Sequence, residues 1–401
     1  MLSVAEAQAH VLAAGSTRRR ETVSLSKAHG RYLAEDVTAL LTQPPFHASA
    51  MDGYAVRFED IAPGLTFPVI GEAIAGKAFD GVFEDGVAVR VLTGAPMPEG
   101  SDTVILQEDV AYEDGAIRLI GDFPLQAGRH VRKAGQDFTA GAVLLQAGTR
   151  LNARSIALMA SSGHGAAEVY VPPRVAILST GDELVPPGQM PGPSQIINSN
   201  GVMLASMLRA CGAEVQDYGI LPDRHDVIRD AIIKAALDAD ILVTIGGASV
   251  GDHDYVQAAL VDAGAYIDFW KIAMRPGKPM MLGTMGESVV LGLPGNPVSA
   301  YVCAQLFLLP LVRHLMGAAD PLPRPLQGRL TVDLRANGGR VDYMRAIVRA
   351  GEDGWEVTPF PVQDSAMLSR LEAANALAIR PIHAPAAEKG SNIAFLPLNT
   401  D

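Results

Sequence analysis

Four short loops combine glycine, proline, carboxylate and cation with few aliphatic residues. They read Ser179-Thr180-Gly181-Asp182-Glu183-Leu184, Gly246-Gly247-Ala248-Ser249-Val250-Gly251-Asp252-His253-Asp254-Tyr255, Lys271-Ile272-Ala273-Met274-Arg275-Pro276-Gly277-Lys278-Pro279 and Gly292-Leu293-Pro294-Gly295-Asn296-Pro297-Val298-Ser299. Each adjoins an apolar run with the look of a buried strand, at residues 175–178, 241–245, 266–269 and 289–291. Open α/β sheets bind ligands in loops at the ends of their parallel strands. Glycines let backbone N–H groups approach an anion, while serine, carboxylates and lysines supply hydroxyl, metal and charge contacts. The pattern describes a polyanion site with room for a divalent cation.

Ser249, Gly251, Asp252 and Asp254 follow one strand and open the next helix, where free N–H groups suit a phosphate and carboxylates suit Mg²⁺. A helix cap alone needs one such carboxylate and no Gly-Gly approach. His253 has no second His or Cys nearby, so zinc is rejected. Lys271, Arg275 and Lys278 place three cations within eight residues; they repel one another unless an oxyanion binds, the plainer reading being three solvated side chains on an edge. Pro294 and Pro297 stiffen a strand-to-helix connection, with Pro297 suited to the first helical position and Ser299 just inside. Three further loops hold Ser49-Ala50-Met51-Asp52-Gly53-Tyr54-Ala55-Val56, Thr93 within residues 92–100, and Arg132-Lys133-Ala134-Gly135-Gln136-Asp137. Taken singly, each of these is a turn.

The elements that must position these loops fall into four regions. A chain of 401 residues, 48% hydrophobic and 19% charged, is globular and too long for one core. Residues 1–43, with 146–171, form an elongated N-terminal domain: a helix near 4–13, an apolar-periodic stretch ending at Leu40-Leu41, and a returning helix at 153–162. Residues 44–145 are an inserted small β domain, with short runs at 67–70, 87–91, 103–107 and 117–119 separated by Gly and Pro. Residues 172–318 alternate strand and helix and predict a doubly wound parallel sheet covered on both faces, with Asp223 and Asp226 capping its second helix. After a Pro-rich linker, 319–401 read as a C-terminal β domain, with strands near 330–334, 343–348 and 355–359. The fold class is therefore multidomain α/β and β.

The net charge of −12 and the lack of any basic run beyond Arg18-Arg19-Arg20 argue against nucleic acid as a partner. Two cysteines, Cys211 and Cys303, exclude a disulfide framework or a four-cysteine metal site. No signal peptide is read at the N-terminus, and Gln305, Pro310 and Arg313 interrupt the most apolar segment, so a cytoplasmic protein with no membrane span is expected.

In this order, residues 49–57, 92–100, 135–137, 179–184, 246–255, 269–279 and 292–300 resemble the MoeA family of molybdopterin molybdenumtransferases, related to the E domain of gephyrin. Any one motif is weak; seven in register are specific. The resemblance implies insertion of molybdenum from molybdate into adenylylated molybdopterin, with Mg²⁺-dependent cleavage of the adenylate and release of AMP. It also implies an elongated homodimer whose cleft joins the α/β domain of one subunit to the inserted β domain of the other. The upstream adenylyltransferase and downstream molybdoenzyme maturation proteins are further implied partners.

Carried over by motif, Asp254 holds Mg²⁺ and phosphate beside Ser249 and Gly251, and Lys271 serves the pterin phosphate. Lys278 and Pro279 lie at the molybdate pocket with Ser299, and Arg275, Pro294 and Pro297 belong to the set that binds pterin phosphate, AMP and molybdate. Glu183 and Asp223 line the subunit's own cleft, while Asp52, Thr93, Arg132 and Asp137 reach the partner's. Arg345 and Ser365 supply the C-terminal domain's anion contacts. Three departures stand out: Arg275 where the family often has lysine, His47-Ala48 for a commoner Asp-Asn, and Asp364 for a common glycine. Competing readings are an adenylyltransferase resembling residues 172–318 alone, and a scaffold on the same fold without chemistry.

Overall fold

The computed structural model describes residues 1–16, 19–62, 64–120, 126–246 and 255–398, apart from the side chains of Phe269 and Trp270. Its centre is a six-stranded sheet in the order Glu214–Leu221, Arg174–Thr180, Ile241–Ile245, Ser288–Leu293, Pro279–Met285, Tyr266–Lys271. The first four strands run parallel, as expected. Pro279–Met285, where no strand was expected, runs antiparallel to both its neighbours. Pro279 opens that strand, a position where the missing N–H costs no ladder bond, so a segment that reads as loop in sequence is ladder in space.

Side chains alternate across this sheet with period two. Val175, Ile177, Ile241, Val243 and Ile245 face a core shared with helices Ser199–Cys211 and Pro297–Cys303. Ala176, Leu178, Leu242 and Val290 face His225–Ala236 and Tyr255–Asp262. Helix Pro297–Cys303 continues through a π turn, Ala304–Leu308, into Leu309–Leu315. Pro310 has no N–H to offer the carbonyl of Leu306. The Gln8 side chain donates to that carbonyl at 3.0 Å, joining the first helix, Val4–Ala14, to this domain. By length and composition the run Pro297–Leu315 could cross a membrane, but 78% of its apolar window is buried inside the fold.

From residue 19 to 43 the chain is extended rather than periodic, apart from one short 3-10 turn at Leu25–Lys27. Arg20–Ser24 pairs antiparallel with Ala166–Tyr170, and Val37–Thr38 with Val143–Leu145. Leu40 and Leu41 are exposed and outside any helix; their N–H groups donate to the Ser162 carbonyl that ends helix Ala153–Ser161. Inside the insertion, a six-stranded sheet runs Thr103–Leu106, Gly53–Val56, Ala88–Val91, Thr66–Ala73, Ala116–Leu119, Val110–Glu113. Gly53–Val56, read as loop in sequence, is a wholly buried central strand. Gly53 belongs there because a Cβ would stand 2.0 Å from the Ile105 carbonyl oxygen.

The C-terminal domain closes on itself: Val341–Gly351, Gly354–Pro359, Leu326–Leu330, Asn392–Pro397 and Ala376–Arg380 pair in turn, and the last returns to the first. Its first strand starts four residues before the expected 330–334. Met274–Arg275, from the cationic loop, adds a short parallel pairing to Val341 and Asp342. The C-terminal domain is thereby stitched to the edge of the central sheet that carries Lys271.

Candidate active site

Three loops converge where strands Arg174–Thr180, Ile241–Ile245 and Ser288–Leu293 end. Gly246 has φ of +88°, and a Cβ there would lie 3.2 Å from the Thr180 carbonyl oxygen; one on Gly295 would lie 3.9 Å from the Gly246 Cα. Asn200, in the first turn of helix Ser199–Cys211, donates from its amide to the Gly295 carbonyl at 2.6 Å. Ser179, Thr244 and Ser299 are buried polar groups at the same edge. The Ser179 and Thr244 hydroxyls and the Asn200 carbonyl oxygen have no hydrogen-bond partner among the described residues. Buried polar atoms without partners are costly and rare, and they gather here at a ligand-binding edge.

Carboxylates rim this edge. The backbone N–H of Asp182 donates to Asp223 Oδ2 at 3.3 Å, and that of Asp223 to Asp182 Oδ1 at 3.1 Å. Asp223 is thus engaged with the strand-end loop and does not cap the helix, whose N-cap is Arg224 without a side-chain bond. The Glu183 carboxylate lies against Gly181, where a Cβ would stand 2.4 Å from Oε2. Ser249, Gly251 and Asp254 lie outside the described residues, as do Asp252 and His253. Among the described residues no group of three His, Cys, Asp or Glu could hold a metal ion, and the expected Mg²⁺ ligand, Asp254, lies outside them.

Lys271 and Lys278 are exposed at the edge beyond. The loop between them is pinched shut by the Ile272 N–H donating to the Lys278 carbonyl at 2.9 Å and by the pairing of Lys271 with Pro279. Arg275 is paired to the buried carboxylate of Asp342, whose hydrogen bond raises the guanidinium pKa further. Gly277, at φ of +98°, sits with its Cα against the Cys303 thiol, pinning the loop to helix Pro297–Cys303. Pro294 is buried and Pro297 takes the first helical position, as its fixed φ favours.

Arg345 is 1% exposed. Its Nη1 donates to the Met367 carbonyl at 3.2 Å, and burial lowers its pKa although Asp364 acts to raise it. Ser365 reaches the sheet edge by its backbone, whose carbonyl accepts from the Val298 N–H at 3.0 Å. In the inserted domain, Asp52 and Thr93 meet: Asp52 Oδ1 accepts from the Thr93 N–H at 2.7 Å and its hydroxyl at 2.8 Å. Those bonds, the backbone one first, hold the Asp52 carboxyl below its ordinary range. Arg132 and Asp137 line one small pocket with Gln43 and Pro44. Among the described residues no hydrogen bond or ion pair joins Asp52, Thr93, Arg132 or Asp137 to the α/β domain.

Comparison with known proteins decides the family. Residues 2–163 match the MoeA N-terminal region (domain I and II), 176–314 a probable molybdopterin binding domain, and 327–398 the MoeA C-terminal region (domain IV). The molybdopterin molybdenumtransferase of Haemophilus influenzae is 36% identical over 94% of this chain and 94% of its own length. The chain belongs to the molybdopterin molybdenumtransferase family. Its members from Nostoc sp. and Bacillus subtilis are 37% and 33% identical, over 96% and 94% of this chain and 90% and 89% of theirs. A crystal structure of the molybdopterin biosynthesis MoeA protein from Pyrococcus horikoshii superposes with a TM-score of 0.84 at 26% identity, covering 99% of this chain and all of that one. Family membership makes the chain a transferase enzyme.

Four residues that the geometry brings to the site went unassigned in the sequence: Asn200, Asp182, Gln363 and Asp342. Asn200 has a legible signal in Asn198-Ser199-Asn200-Gly201, a polar cluster at a helix start. Asp342 is a carboxylate inside an apolar strand, a placement that calls for a cation. Gln363 carries no signal.

Proposed function

We propose that this protein acts in molybdenum cofactor biosynthesis, inserting molybdenum from molybdate into adenylylated molybdopterin with Mg²⁺-dependent release of AMP. The observation that carries this reading is the convergence of Thr180, Gly246, Gly295 and Asn200 at one strand edge, rimmed by carboxylates on one side and by Lys271 and Lys278 on the other. Backbone approach at Gly246 and Gly295 suits the phosphates of a nucleotide-bearing pterin. Lys271 holds the pterin phosphate, and Lys278, Pro279 and Ser299 hold the molybdate oxyanion. In the chemistry water cleaves the phosphoanhydride bond, releasing AMP and leaving a phosphate on the pterin. The two dithiolene thiols displace one oxo group of molybdate, whose oxygen leaves as water with the two thiol protons and without change in the oxidation state of molybdenum.

We further propose a cytoplasmic homodimer in which Asp52, Thr93, Arg132 and Asp137 of one subunit complete the cleft of the other. That reading is supported by the absence, among the described residues, of any bond tying those four to their own α/β domain. A bound Mg²⁺ would neutralise phosphate charge, with Asp254 its expected ligand.

The experiment is mass spectrometry of small molecules released after mixing the protein with adenylylated molybdopterin, molybdate and Mg²⁺. Molybdate-dependent AMP release is expected. Pyrophosphate release from ATP and unmodified molybdopterin would mark an adenylyltransferase instead. Mixing an Asp52→Ala chain with a Lys278→Ala chain should restore part of the activity through one intact cleft. No rescue in proven heterodimers would place the cleft within one chain.

A further inference from the structure

A second cavity, of about 730 Å³, lies away from the strand-end loops, where the N-terminal extended segments, the helices of the α/β domain and the last described strand meet. That volume is in the range of small-molecule sites. Its walls include Tyr32, Met207, Cys211 and Tyr301, and two arginines, Arg150 and Arg313, enter it. No described residue lining it is acidic.

Apart from a hydrogen bond between Arg313 and the Cys211 side chain, the two guanidinium groups have weak protein partners. Arg150 Nε donates to the Gly30 carbonyl at 3.4 Å, and Arg313 Nη1 to the Pro321 carbonyl at 3.4 Å, both near the outer limit of a hydrogen bond. Neither makes an ion pair among the described residues, although the chain carries a net charge of −12. Both act electrostatically on the same two neighbours, the buried Tyr32 phenol and the half-buried Cys211 thiol, so both guanidinium groups lie near them. Two like charges converging on a partly apolar cavity repel unless an anion lies between them. Guanidinium is the side chain best shaped to fork onto phosphate or carboxylate.

We propose that this cavity is a second ligand site, taking a small organic anion whose phosphate or carboxylate lies between Arg150 and Arg313 and whose apolar body lies against Tyr32, Tyr301 and Met207. Because three parts of the chain form its walls, the ligand bridges the N-terminal, α/β and C-terminal domains.

Cys211 reports occupancy directly. It lines the cavity and is half-buried, whereas Cys303 is fully buried and serves as the unlabelled control. Iodoacetamide labelling of Cys211 in the full chain, followed by mass spectrometry, is measured against phenyl phosphate, inorganic phosphate and benzoate. Phenyl phosphate is expected to slow labelling about tenfold at saturation. The double variant R150Q/R313Q should need at least about tenfold more phenyl phosphate, as loss of charge-assisted contacts requires. Protection by inorganic phosphate but not benzoate assigns a phosphate group; the converse assigns a carboxylate. Either single variant, Arg150→Gln or Arg313→Gln, stands in if the double variant does not fold. Calorimetry with phenyl phosphate gives a second readout, with one site per chain lost in the variant. No protection by any of the three anions, equal protection of the variant, or unchanged calorimetric stoichiometry and affinity would overturn the proposal.

Discussion

The Gln363 carboxamide pairs with Arg345 as a neighbouring strand would. Its Oε1 accepts from the Arg345 backbone N–H at 3.0 Å and from Nε at 3.3 Å, while its Nε2 donates to the Arg345 carbonyl at 3.0 Å. The same Nε2 donates to the Phe360 carbonyl at 2.8 Å, so the segment after the strand folds back over Arg345. With Nη1 on the Met367 carbonyl, Nη2 is left without a partner among the described residues. One side chain thus sets both the backbone and the guanidinium of a residue expected to contact an anion, and it carries Ser365 to the Val298 N–H.

Gln363→Ala removes these bonds at once and leaves buried polar groups unpaired. A loss of about 2–3 kcal/mol in unfolding free energy is expected, given about 1–3 kcal/mol for each buried group left unsatisfied and partial rescue by water. Gln363→Glu keeps the acceptor toward Arg345 but not the donors, and should cost less than the alanine variant. Urea titration checks both, and equal stability of all three proteins would reduce the clamp to an accident of packing.

Thr93 sets the protonation of Asp52. Two donors on one oxygen favour the carboxylate, so the native pKa lies below its unfolded value near 3.8. A depressed pKa contributes stability that is complete above the unfolded value and is lost as pH falls through the native one. Thr93→Val removes the hydroxyl but keeps the N–H, the larger contributor, so Asp52 should titrate at a higher pH than in the native protein while staying below the ordinary range. Thr93→Ser should change little. Carbon-13 NMR titration of the Asp carboxyls reads this out, and an unmoved Asp52 resonance in Thr93→Val would show that the hydroxyl does not act on it.

The sheet of residues 174–293 was legible because the continuous apolar runs at 175–178 and 241–245 suit strands buried on both faces, between the two cores the sheet divides. What stayed hidden depended on partners distant in sequence. Gly53–Val56 is turn-like in composition and becomes a strand because Ala88–Val91 and Thr103–Leu106 flank it. Pro279–Met285 was masked by its opening proline. At the site, the residue types of the strand-end loops announced anion chemistry, but the cation cluster did not announce that one member was already spoken for. Arg275 meets Asp342, 67 residues away, only because Met274–Arg275 pairs with the C-terminal domain.

That pair changes what Arg275 is expected to do. Asp342 is 5% exposed, whereas the Arg275 side chain is 55% exposed, so solvent screens one end of the bridge. Breaking a buried pair costs about 3–5 kcal/mol and an exposed one about 0–1, so Arg275→Ala should cost about 1–3 kcal/mol. Arg275→Lys, which keeps the charge but not the fork, should lose less. A double-mutant cycle with Asp342→Asn measures the coupling. Additive losses would mean that the bridge contributes nothing to stability.

Lys278 shares the loop but not the partner. Its side chain is exposed and makes no ion pair among the described residues, and its backbone carbonyl holds the Ile272 N–H. Lys278→Ala should therefore leave the loop and the melting temperature nearly unchanged, since only solvated charge is removed. If Lys278 meets the molybdate oxyanion, losing that contact costs on the order of 1.5–3 kcal/mol, a tenfold to hundredfold rise in half-saturating molybdate. Arg275→Ala should shift half-saturation less, because Asp342 already occupies part of its charge, but should lower stability more. Titrating molybdate against AMP release, alongside urea unfolding of the same two variants, separates the roles. An unchanged half-saturation for Lys278→Ala would remove this lysine from the molybdate site, and a larger shift for Arg275→Ala would hand the oxyanion to the arginine.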